Sequence, residues 1–239
     1  MPAADAISLA NMAQLETVSE EKLRRVKYAC QNLEAAYGLP RNECGDDPLE
    51  ELIGTILSQA TSNQNSHRTF ANLKRAFKDW EAVRRAKPEK IEAAIKLGGL
   101  AQVKSITIKN ILNEIKTRTG KLDLSFLHTV PVEDARAFLL SLKGVGPKTV
   151  GCVLLFACKR AVFPMDTHIL RICRRMGWIP VRCSDAEAHR QMELLIPKNK
   201  HYALHINLIL HGRKICHPRN PACEKCCLVE QCDYGQQVL

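Results

Sequence analysis

The sequence predicts an all-α fold, and three observations lead to this prediction. Apolar residues recur at three- and four-residue steps in one short segment after another, which is the spacing of an amphipathic helix. Glycine and proline separate these segments at short connections, as in helical bundles. No long stretch alternates apolar and polar residues with the period of a strand. The chain has 239 residues, of which 46% are hydrophobic and 25% charged, and it is long enough to bury a core.

The first predicted helix carries an apolar stripe and stops before Gly38 and Pro40, two residues that commonly end helices. Its stripe consists of Leu23, Val26, Cys30, Leu33 and Tyr37. A second helix begins at Asp47, whose side chain can cap it, with Pro48 in the first turn and Glu50 as the reciprocal capping partner. Its apolar face consists of Leu49, Leu52, Ile53, Ile56 and Leu57. Further helices are predicted over residues 70–77, 80–83, 91–95 and 108–115.

The segment Gly144-Val145-Gly146-Pro147 predicts two helices joined by a tight turn. Glycine accepts positive φ, and Pro147 fixes φ at a value where the following helix can begin. That helix should run through Ala157, with Lys148 one residue inside its start. Its first backbone N–H groups have no partners within the helix and suit a phosphate. An ordinary packing corner between two helices has the same pattern, so both interpretations stay open for the turn alone.

The eleven cysteines fall into two groups. Six are scattered, and we expect them to be small buried groups without chemistry of their own. These six are Cys30, Cys44, Cys152, Cys158, Cys173 and Cys183. Five others lie within the last 24 residues, where Pro218 and Pro221 disfavour regular structure. The second group therefore predicts a loop wrapped around a metal centre.

Four of these terminal cysteines have a spacing that suits a metal site. Cys216, Cys223, Cys226 and Cys232 are separated by six, two and five residues. One continuous run with a single short pair favours an iron–sulfur cluster, whereas structural zinc sites more often use two separate short pairs. Zinc stays the alternative. Cys227 also stays open as a replacement for Cys226, because a slip of one residue would exchange them.

The chain has a formal net charge of +10, which favours polyanions such as nucleic acid as partners. Aromatic residues make up only 5%, which argues against a single-strand binder built on stacked rings. The first residues lack the basic start and apolar run of a secretion signal, and no run of about 18 apolar residues predicts a membrane span. We therefore expect a protein that works inside the cell without a membrane partner.

Residues 142–149, LKGVGPKT, are followed by Met165-Asp166-Thr167-His168 and then by the four-cysteine tail. In this order, the three segments resemble endonuclease III, a family of helix-hairpin-helix DNA glycosylases. Shorter segments extend the resemblance from about residue 22 to residue 234. They are Ser58-Gln59-Ala60-Thr61, Gly99-Leu100 and residues 208–213, LILHGR.

The resemblance implies two α-helical domains with a DNA-binding cleft between them. Residues 41–160 would form a six-helix barrel that contains the hairpin. Residues 22–40 would join residues 161–239 in a domain with a 4Fe-4S cluster on the four tail cysteines, and residues 1–21 would be an N-terminal arm. The partner would be double-stranded DNA with damaged bases or abasic sites. We expect a monomer in the cytoplasm of a bacterium or archaeon, working at the nucleoid.

The resemblance assigns the chemistry to Lys148 and Asp166. A lysine is a nucleophile only as the free amine, which nearby cations and the positive end of a helix dipole favour. Lys148 would attack C1′ of the damaged nucleotide, form a Schiff base and cut the strand 3′ to the lesion by β-elimination. Asp166 would face the same cleft and stabilise the positive charge that grows at C1′. Without the resemblance, Lys148 also fits a phosphate contact, and Asp166 fits a helix cap.

Further residues are expected to contact DNA. Gln59 and Leu100 resemble the family residues that fill the gap left by a flipped base, and Leu100 follows two glycines, as at an exposed loop tip. Ordinary structural roles, a helix end for Gln59 and core packing for Leu100, are the alternatives. Two positions depart from the family pattern: Gly98 stands where a bulky apolar residue precedes the Gly-Leu pair, and Pro147 stands where arginine is often found.

Phosphate contacts are expected in two places. Gly144 and Gly146 would let the backbone approach the DNA closely. Arg171 and Arg174 lie on the helix that follows Asp166 and are candidates for the same role, although charged helix faces are commonly only solvated.

Three functions fit the sequence to different degrees. The first is a bifunctional glycosylase and lyase for oxidised pyrimidines. The second is a related helix-hairpin-helix glycosylase for mismatched or alkylated bases, and the third is a non-catalytic DNA-binding module. Lys148 argues against the adenine-removing branch, whose members generally lack this lysine. The presence of both Lys148 and Asp166 argues against the third function.

Overall fold

The computed structural model describes residues 20–239, and every regular element in that part of the chain is a helix. The all-α prediction is therefore confirmed. Most of the N-terminal arm predicted over residues 1–21 lies outside the described residues. None of the helices from residue 20 onward has both the length and the apolar character needed to cross a membrane.

The helices follow one another with short connections. The α-helices are α1 (Glu20–Tyr37), α2 (Pro48–Ser58), α3 (Asn63–Ala76), α4 (Trp80–Arg85), α5 (Pro88–Ile95), α6 (Ala101–Thr119), α7 (Val132–Leu140), α8 (Pro147–Cys152), α9 (Thr167–Arg175), α10 (Asp185–Leu195), α11 (His201–Lys214) and α12 (Asp233–Val238). The helix predicted to run from Pro147 through Ala157 is present, but its second half, Val153–Ala157, has π-helical hydrogen bonding. Nothing in the structure explains this change.

Contacts divide the chain into two compact units. One comprises residues 20–42 and 161–239, and the other comprises Glu43–Arg160. The unit boundary after Asn42 differs by two residues from the boundary that the resemblance implied. The assignment of these units as a six-helix barrel domain and an iron–sulfur cluster domain stays a prediction.

Helix α2 packs against α3, α6 and α8 within the unit 43–160. As predicted, Asp47 caps it, and its carboxylate accepts hydrogen bonds from the backbone N–H groups of Leu49 and Glu50 at 2.8 and 3.2 Å. The predicted reciprocal role of Glu50 is wrong, because its carboxylate pairs with Lys74 on α3. The whole predicted apolar face of α2 is buried. Capping and burial together explain why this segment is helical.

The other unit has its own core, built on α1, α9, α10 and α11. Trp178 and Phe163 are its largest fully buried side chains. In the stripe predicted for α1, Val26 and Leu33 are buried as expected, whereas Leu23 is exposed near the start of the helix. The stripe is therefore correct where α1 packs against α11 and fails in its first turn.

Burial separates the six scattered cysteines. Four are buried as predicted: Cys30, Cys152, Cys158 and Cys173. The prediction is wrong for Cys44, which is exposed, and for Cys183, which is only half-buried. Both lie in the irregular connections that precede α2 and α10, and such connections run over the surface of a protein.

Candidate functional site

The predicted hairpin is formed by α7, the turn of residues 141–146, and α8. Gly144 has a φ of +93°, and a Cβ at this position would lie 2.9 Å from Cγ2 of Thr107. Only glycine fits without strain at that point of the turn. The expectation of positive φ is wrong for Gly146, whose φ of −103° is open to any residue. The turn thus depends on one glycine rather than two.

Lys148 is the second residue of α8 and is half-buried. Gly146, the N-cap, gives no side-chain capping bond, so the first N–H groups of α8 are open to an anion. Glu51 on α2 is an acid that sequence analysis did not single out. Burial raises the pKa of its carboxyl, whereas the Thr55 hydroxyl, 3.0 Å away, and the charge of Lys148 act in the opposite direction. Lys148 therefore lies within electrostatic reach of a half-buried acid.

Gln59 and Leu100 lie on two loops of the unit 43–160 that are close together. Gln59 is exposed and ends α2, and the next residue, Ala60, has a φ of +52°. Leu100 is 60% exposed, as expected of a loop tip, and precedes α6 with a φ of +51°. A Cβ at Gly99 would lie 3.7 Å from the carbonyl oxygen of Ala60. Left-handed backbone costs a non-glycine residue about 1 to 3 kcal/mol, so both loops hold an unfavourable conformation.

The glycine that departs from the family pattern has a local explanation. Gly98 is buried, and a Cβ there would lie 3.0 Å from Cγ2 and 3.1 Å from Oγ1 of Thr69 on α3. Thr69 is itself fully buried and fills the space that a larger side chain at position 98 would need. The substitution therefore fits the packing beneath Leu100, and the wedge role of Leu100 stays a prediction.

Asp166 is the N-cap of α9 in the unit that contains residues 161–239. Its Oδ1 accepts a hydrogen bond from the backbone N–H of Ile169 at 2.8 Å, and its backbone is extended. The helix cap expected from the sequence is therefore present, and it fixes one carboxylate oxygen. The catalytic role of Asp166 stays a prediction.

Two buried histidines hold the segment that leads to Asp166. The N–H of Met165 donates to Nε2 of His189 at 3.0 Å. Nδ1 of His205 donates to the carbonyl of Pro164 at the same distance. His189 and His205 come from α10 and α11, so these two helices set the backbone position from which the carboxylate of Asp166 is presented. Sequence analysis missed both histidines, because no local motif marks such long-range contacts.

The two arginines that were expected to bind phosphate make contacts inside their own unit. Arg171 donates from Nη2 to the carbonyl of Cys216 at 2.7 Å and to the carbonyl of Gly212 at 3.0 Å. Arg174 donates to the carbonyl of Cys183 at 3.5 Å. The contacts of Arg171 connect α9 to the start of the cysteine tail, and the contact of Arg174 connects α9 to the segment before α10. The phosphate contacts of Arg171 and Arg174 stay predictions.

The four cysteines with metal-site spacing line one small cavity. Its wall includes Cys216, Cys223, Cys226 and Cys232, and Cys227 is not part of it. This favours Cys226 over Cys227 as a ligand. Arg175 lies in the same wall and donates from Nη1 to the Sγ of Cys216 at 3.1 Å. Donors of this kind stabilise a ligating thiolate.

Cys226 has a further polar neighbour. The Nε2 of His211 lies 3.3 Å from the Sγ of Cys226, and the Nδ1 of His211 lies 2.9 Å from the hydroxyl of Tyr37. Burial lowers the pKa of His211 to about 4, so its ring is neutral at pH 7. With the Tyr37 hydroxyl donating to Nδ1, the proton on Nε2 is directed at the sulfur. Burial nevertheless raises the pKa of the Cys226 thiol to about 12, so the protein alone keeps this group protonated, and a bound metal would have to supply the charge that stabilises the thiolate.

The four thiols form a donor set that either a 4Fe-4S cluster or a zinc ion can use. Within residues 20–239, no three His, Cys, Asp or Glu side chains converge as ligands of one metal ion. In a 4Fe-4S cluster each thiolate binds its own iron, so the sulfurs surround the group instead of converging on one point. The four cysteines line one cavity, and the choice between cluster and zinc stays a prediction.

Helices α7 and α8, joined by the turn that contains Gly144 and Gly146, form a helix-hairpin-helix, and Lys148 lies in the first turn of its second helix. The profile of the HhH-GPD superfamily base excision DNA repair proteins matches residues 53–198, which include the hairpin, Lys148 and Asp166. The chain belongs to this superfamily of DNA glycosylases and, within it, to the endonuclease III family.

Two relatives show how far the similarity extends. Endonuclease III of Thermotoga maritima is 32% identical over 195 residues, which cover 82% of this chain and 87% of the relative. A candidate DNA glycosylase of Arabidopsis thaliana is 41% identical over 168 residues, which cover 70% of this chain. The chain spans only 57% of the length of that plant relative.

A solved structure has the same fold. It is a trapped covalent intermediate of endonuclease III with DNA, which aligns with a TM-score of 0.77 over 90% of this chain and 97% of the solved chain. The sequence identity is 23%. At this identity the likeness establishes the fold alone.

Proposed function

We propose that this protein is a bifunctional DNA glycosylase and AP lyase that removes oxidised pyrimidines from duplex DNA. The observation that carries the proposal is Lys148, an amine in the first turn of the helix that follows the hairpin, in a chain of a base excision repair superfamily. The similarity to an endonuclease III over most of its length supports it. The same proposal covers the activity of any longer protein that contains this chain.

The reaction begins at Nζ of Lys148. Its lone pair attacks C1′ of the damaged nucleotide, and the bond from C1′ to the base breaks, so that the base leaves with the electron pair and takes up a proton. The sugar ring then opens, with O4′ leaving as a hydroxyl, and C1′ becomes a Schiff base with Nζ. Loss of a proton from C2′ expels the 3′ phosphate oxygen and cuts the strand. Water hydrolyses the Schiff base and frees Lys148.

Asp166 supplies the negative charge in this scheme. Positive charge grows at C1′ as the base departs, and a fixed carboxylate stabilises it without reorganising. The hydrogen bond from Ile169 and the histidine contacts on the preceding backbone keep the carboxylate in place. Asp166→Asn should therefore slow base removal while leaving the helix cap intact, because an amide oxygen also accepts the capping bond.

The partner is double-stranded DNA that contains a damaged base or an abasic site, bound by a monomer. The net charge of +10 favours association with the phosphate backbone. Rotating a nucleotide out of the duplex costs a few kcal/mol of stacking, and side chains that enter the gap offset part of this cost. Gln59 and Leu100 are both exposed, and their two loops adjoin, as this role requires.

We further propose that Cys216, Cys223, Cys226 and Cys232 bind a 4Fe-4S cluster with a structural role. When bound, the cluster supplies four iron–thiolate bonds that cross-link the tail. Arg171 links the same tail to α9, the helix that Asp166 caps. The tail therefore supports the position of Asp166 rather than taking part in the reaction at C1′.

Reductive trapping tests the proposed function. Borohydride reduces a Schiff base to a stable amine, so the wild type should become covalently attached to a duplex containing thymine glycol or an abasic site. Lys148→Gln should not be trapped, and Lys143→Gln, which alters a neighbouring exposed lysine of the hairpin, should be trapped as well as the wild type. Trapping of Lys148→Gln, or none with the wild type, would contradict the proposal.

A panel of single-lesion duplexes tests the substrate class. We expect excision of oxidised pyrimidines to exceed that of mismatched thymine and of alkylated bases. Faster excision of a mismatched or alkylated base would move the chain to the second function considered above. Binding without excision of any base would indicate the non-catalytic module.

A further inference from the structure

We infer that Lys104 is a positioning residue for base flipping, because its buried ammonium group holds together the two loops that carry Gln59 and Leu100. The inference rests on the proposed function, in which these two side chains fill the gap left by the flipped nucleotide. Lys104 lies in the first turn of α6, four residues after Leu100. It is only 3% exposed, which is rare for a lysine.

All three donors of the Lys104 ammonium are directed at backbone carbonyls. Nζ donates to Leu57 at 2.9 Å, to Gln59 at 2.7 Å and to Gly98 at 2.8 Å. The first two carbonyls belong to the end of α2, where helix carbonyls lack partners, and the third belongs to the turn before Leu100. An ammonium has three donors, so the site uses its full capacity.

The backbone of Lys104 completes the connection. Its N–H donates to the carbonyl of Leu100 at 2.9 Å, as the first hydrogen bond of α6. One residue therefore contacts the carbonyls of Gln59, Gly98 and Leu100. This set includes both candidate gap-filling residues.

The loops need such a support because their backbones are unfavourable. Ala60 follows Gln59 in left-handed conformation, and Leu100 is left-handed itself. Non-glycine residues keep such conformations only where the surroundings determine them, and such positions cluster at functional sites. Gly99 lies near Ala60, because a Cβ built on Gly99 would be 3.7 Å from the Ala60 carbonyl oxygen, and the two loops are therefore close together. The ammonium thus fixes the spacing at which Gln59 and Leu100 enter the DNA.

The chain offers a matched control for this contact. Lys109 lies on the same helix, α6, and its Nζ donates to the carbonyls of Arg84 and Ala86 at the end of α4. Lys109→Met therefore removes a lysine–carbonyl contact of the same kind that involves neither loop. Lys104→Met and Lys109→Met should both lower the midpoint of thermal unfolding, but only the first should alter base flipping.

Two DNA substrates separate positioning from chemistry. Excision from a duplex with thymine glycol requires flipping and gap filling, whereas borohydride trapping on single-stranded DNA with an abasic site requires neither. Relative to the wild type, Lys104→Met should lower duplex excision about 10- to 100-fold, the range for misplaced positioning groups. Its single-strand trapping should stay within about threefold, and Lys109→Met should not change the ratio of the two activities.

A double-mutant cycle provides the second readout. In a Gln59→Ala/Leu100→Ala background, Lys104→Met should change duplex excision less than about threefold, because the side chains through which it acts are gone. If Lys104→Met does not fold, Lys104→Gln, which keeps two donors, replaces it in every measurement.

Two results overturn the inference alone, and a third overturns it together with the proposed function. Equal losses on the duplex and on the single strand would give Lys104 only a general structural role, and so would an undiminished effect in the double-alanine background. No trapping of the wild type on either DNA would overturn the proposed function and this inference with it.

Discussion

The two units of the chain hold their candidate residues in different ways. In the unit 43–160, left-handed backbone marks the candidate loops, with a φ of +93° at Gly144 and +51° at Leu100, and the Lys104 ammonium supports the loop of Leu100. In the unit with residues 161–239, side-chain contacts with distant backbone hold the candidate residues, as when Arg171 binds the carbonyl of Cys216. The difference teaches that a left-handed backbone is marked in the sequence where the residue is glycine, as at Gly144, and is unmarked where it is not, as at Leu100. The direction of a charged side chain leaves no such mark.

The largest effect is expected at the cysteine tail. In the unit that contains this tail, stability should depend on side-chain contacts between residues that are distant in the sequence. Cys226→Ser should lose the cluster, because Cys226 lines the shared cavity, and should destabilise its unit by more than about 4 kcal/mol, as expected for loss of a bound metal group. Cys227→Ser should keep both, because Cys227 is not part of that wall. Iron and sulfide analysis together with thermal unfolding measure this.

Two outcomes would contradict the ligand assignment. The first is loss of iron from Cys227→Ser with retention in Cys226→Ser. The second is a stoichiometric zinc content without iron in the wild type, which would replace the cluster by a single-ion site.

The hairpin provides the next effect, because its turn depends on one glycine. Gly144→Ala places a Cβ 2.9 Å from Thr107 at a φ of +93°, so we expect a loss of about 2 kcal/mol in the free energy of unfolding. Gly146→Ala is the matched control: nothing lies within 4 Å of its Cβ, and the change should stay within about 0.5 kcal/mol. Denaturant unfolding measures both, and equal losses would show that the two glycines have the same role.

A substitution of Arg171 tests whether this side chain stabilises its own unit or contacts DNA phosphate. Arg171→Met removes donors to the carbonyls of Cys216 and Gly212, so we expect a loss of about 1 to 2 kcal/mol in stability. The salt dependence of DNA binding should stay unchanged. A phosphate contact would instead lower the slope of log K against log salt by about one. A lower slope with unchanged stability would restore the role expected from the sequence.

The smallest effect concerns Glu51. Burial raises the pKa of its carboxyl, and the charges of Lys148 and Lys159 lower it. Burial is the larger effect and raises the folded pKa of the Glu51 carboxyl above its ordinary value, so the folded state favours the neutral acid, and the wild type loses stability as pH rises through the raised pKa. Glu51→Gln lacks this charge and keeps an acceptor for Thr55. Its unfolding midpoint should exceed that of the wild type at pH 7 and approach it below about pH 4. A lower midpoint at pH 7 would show that the lysine contacts outweigh burial.

Much of the fold could be predicted from local signals in the sequence. Asp47 and Pro48 predicted the start of α2, and the glycines at 98 and 99 predicted the exposed tip at Leu100. Each depends on residues a few positions apart, which sequence periodicity and turn chemistry describe well. The cysteine spacing likewise predicted which four thiols line one cavity.

Contacts between distant segments could not be predicted in this way. Lys104 reads as an ordinary helix lysine, yet its ammonium binds Gln59, 45 residues away in sequence. Glu50 completes a capping motif in the sequence, but a lysine on the next helix offers its carboxylate a charged partner. Cys44 has the residue type of a buried group but lies in a surface connection. In each case tertiary packing determines the outcome, and a local pattern contains no information about it.

The measurement that tests the central claim most directly is the position of the sugar adduct on the chain. After borohydride reduction of the wild type with abasic DNA, the complex is digested with nuclease and protease, and the modified peptide is sequenced by mass spectrometry. The account predicts that the adduct is on Nζ of Lys148, in the first turn of α8. An adduct on Lys143, on Lys104 or on any other amine would contradict it.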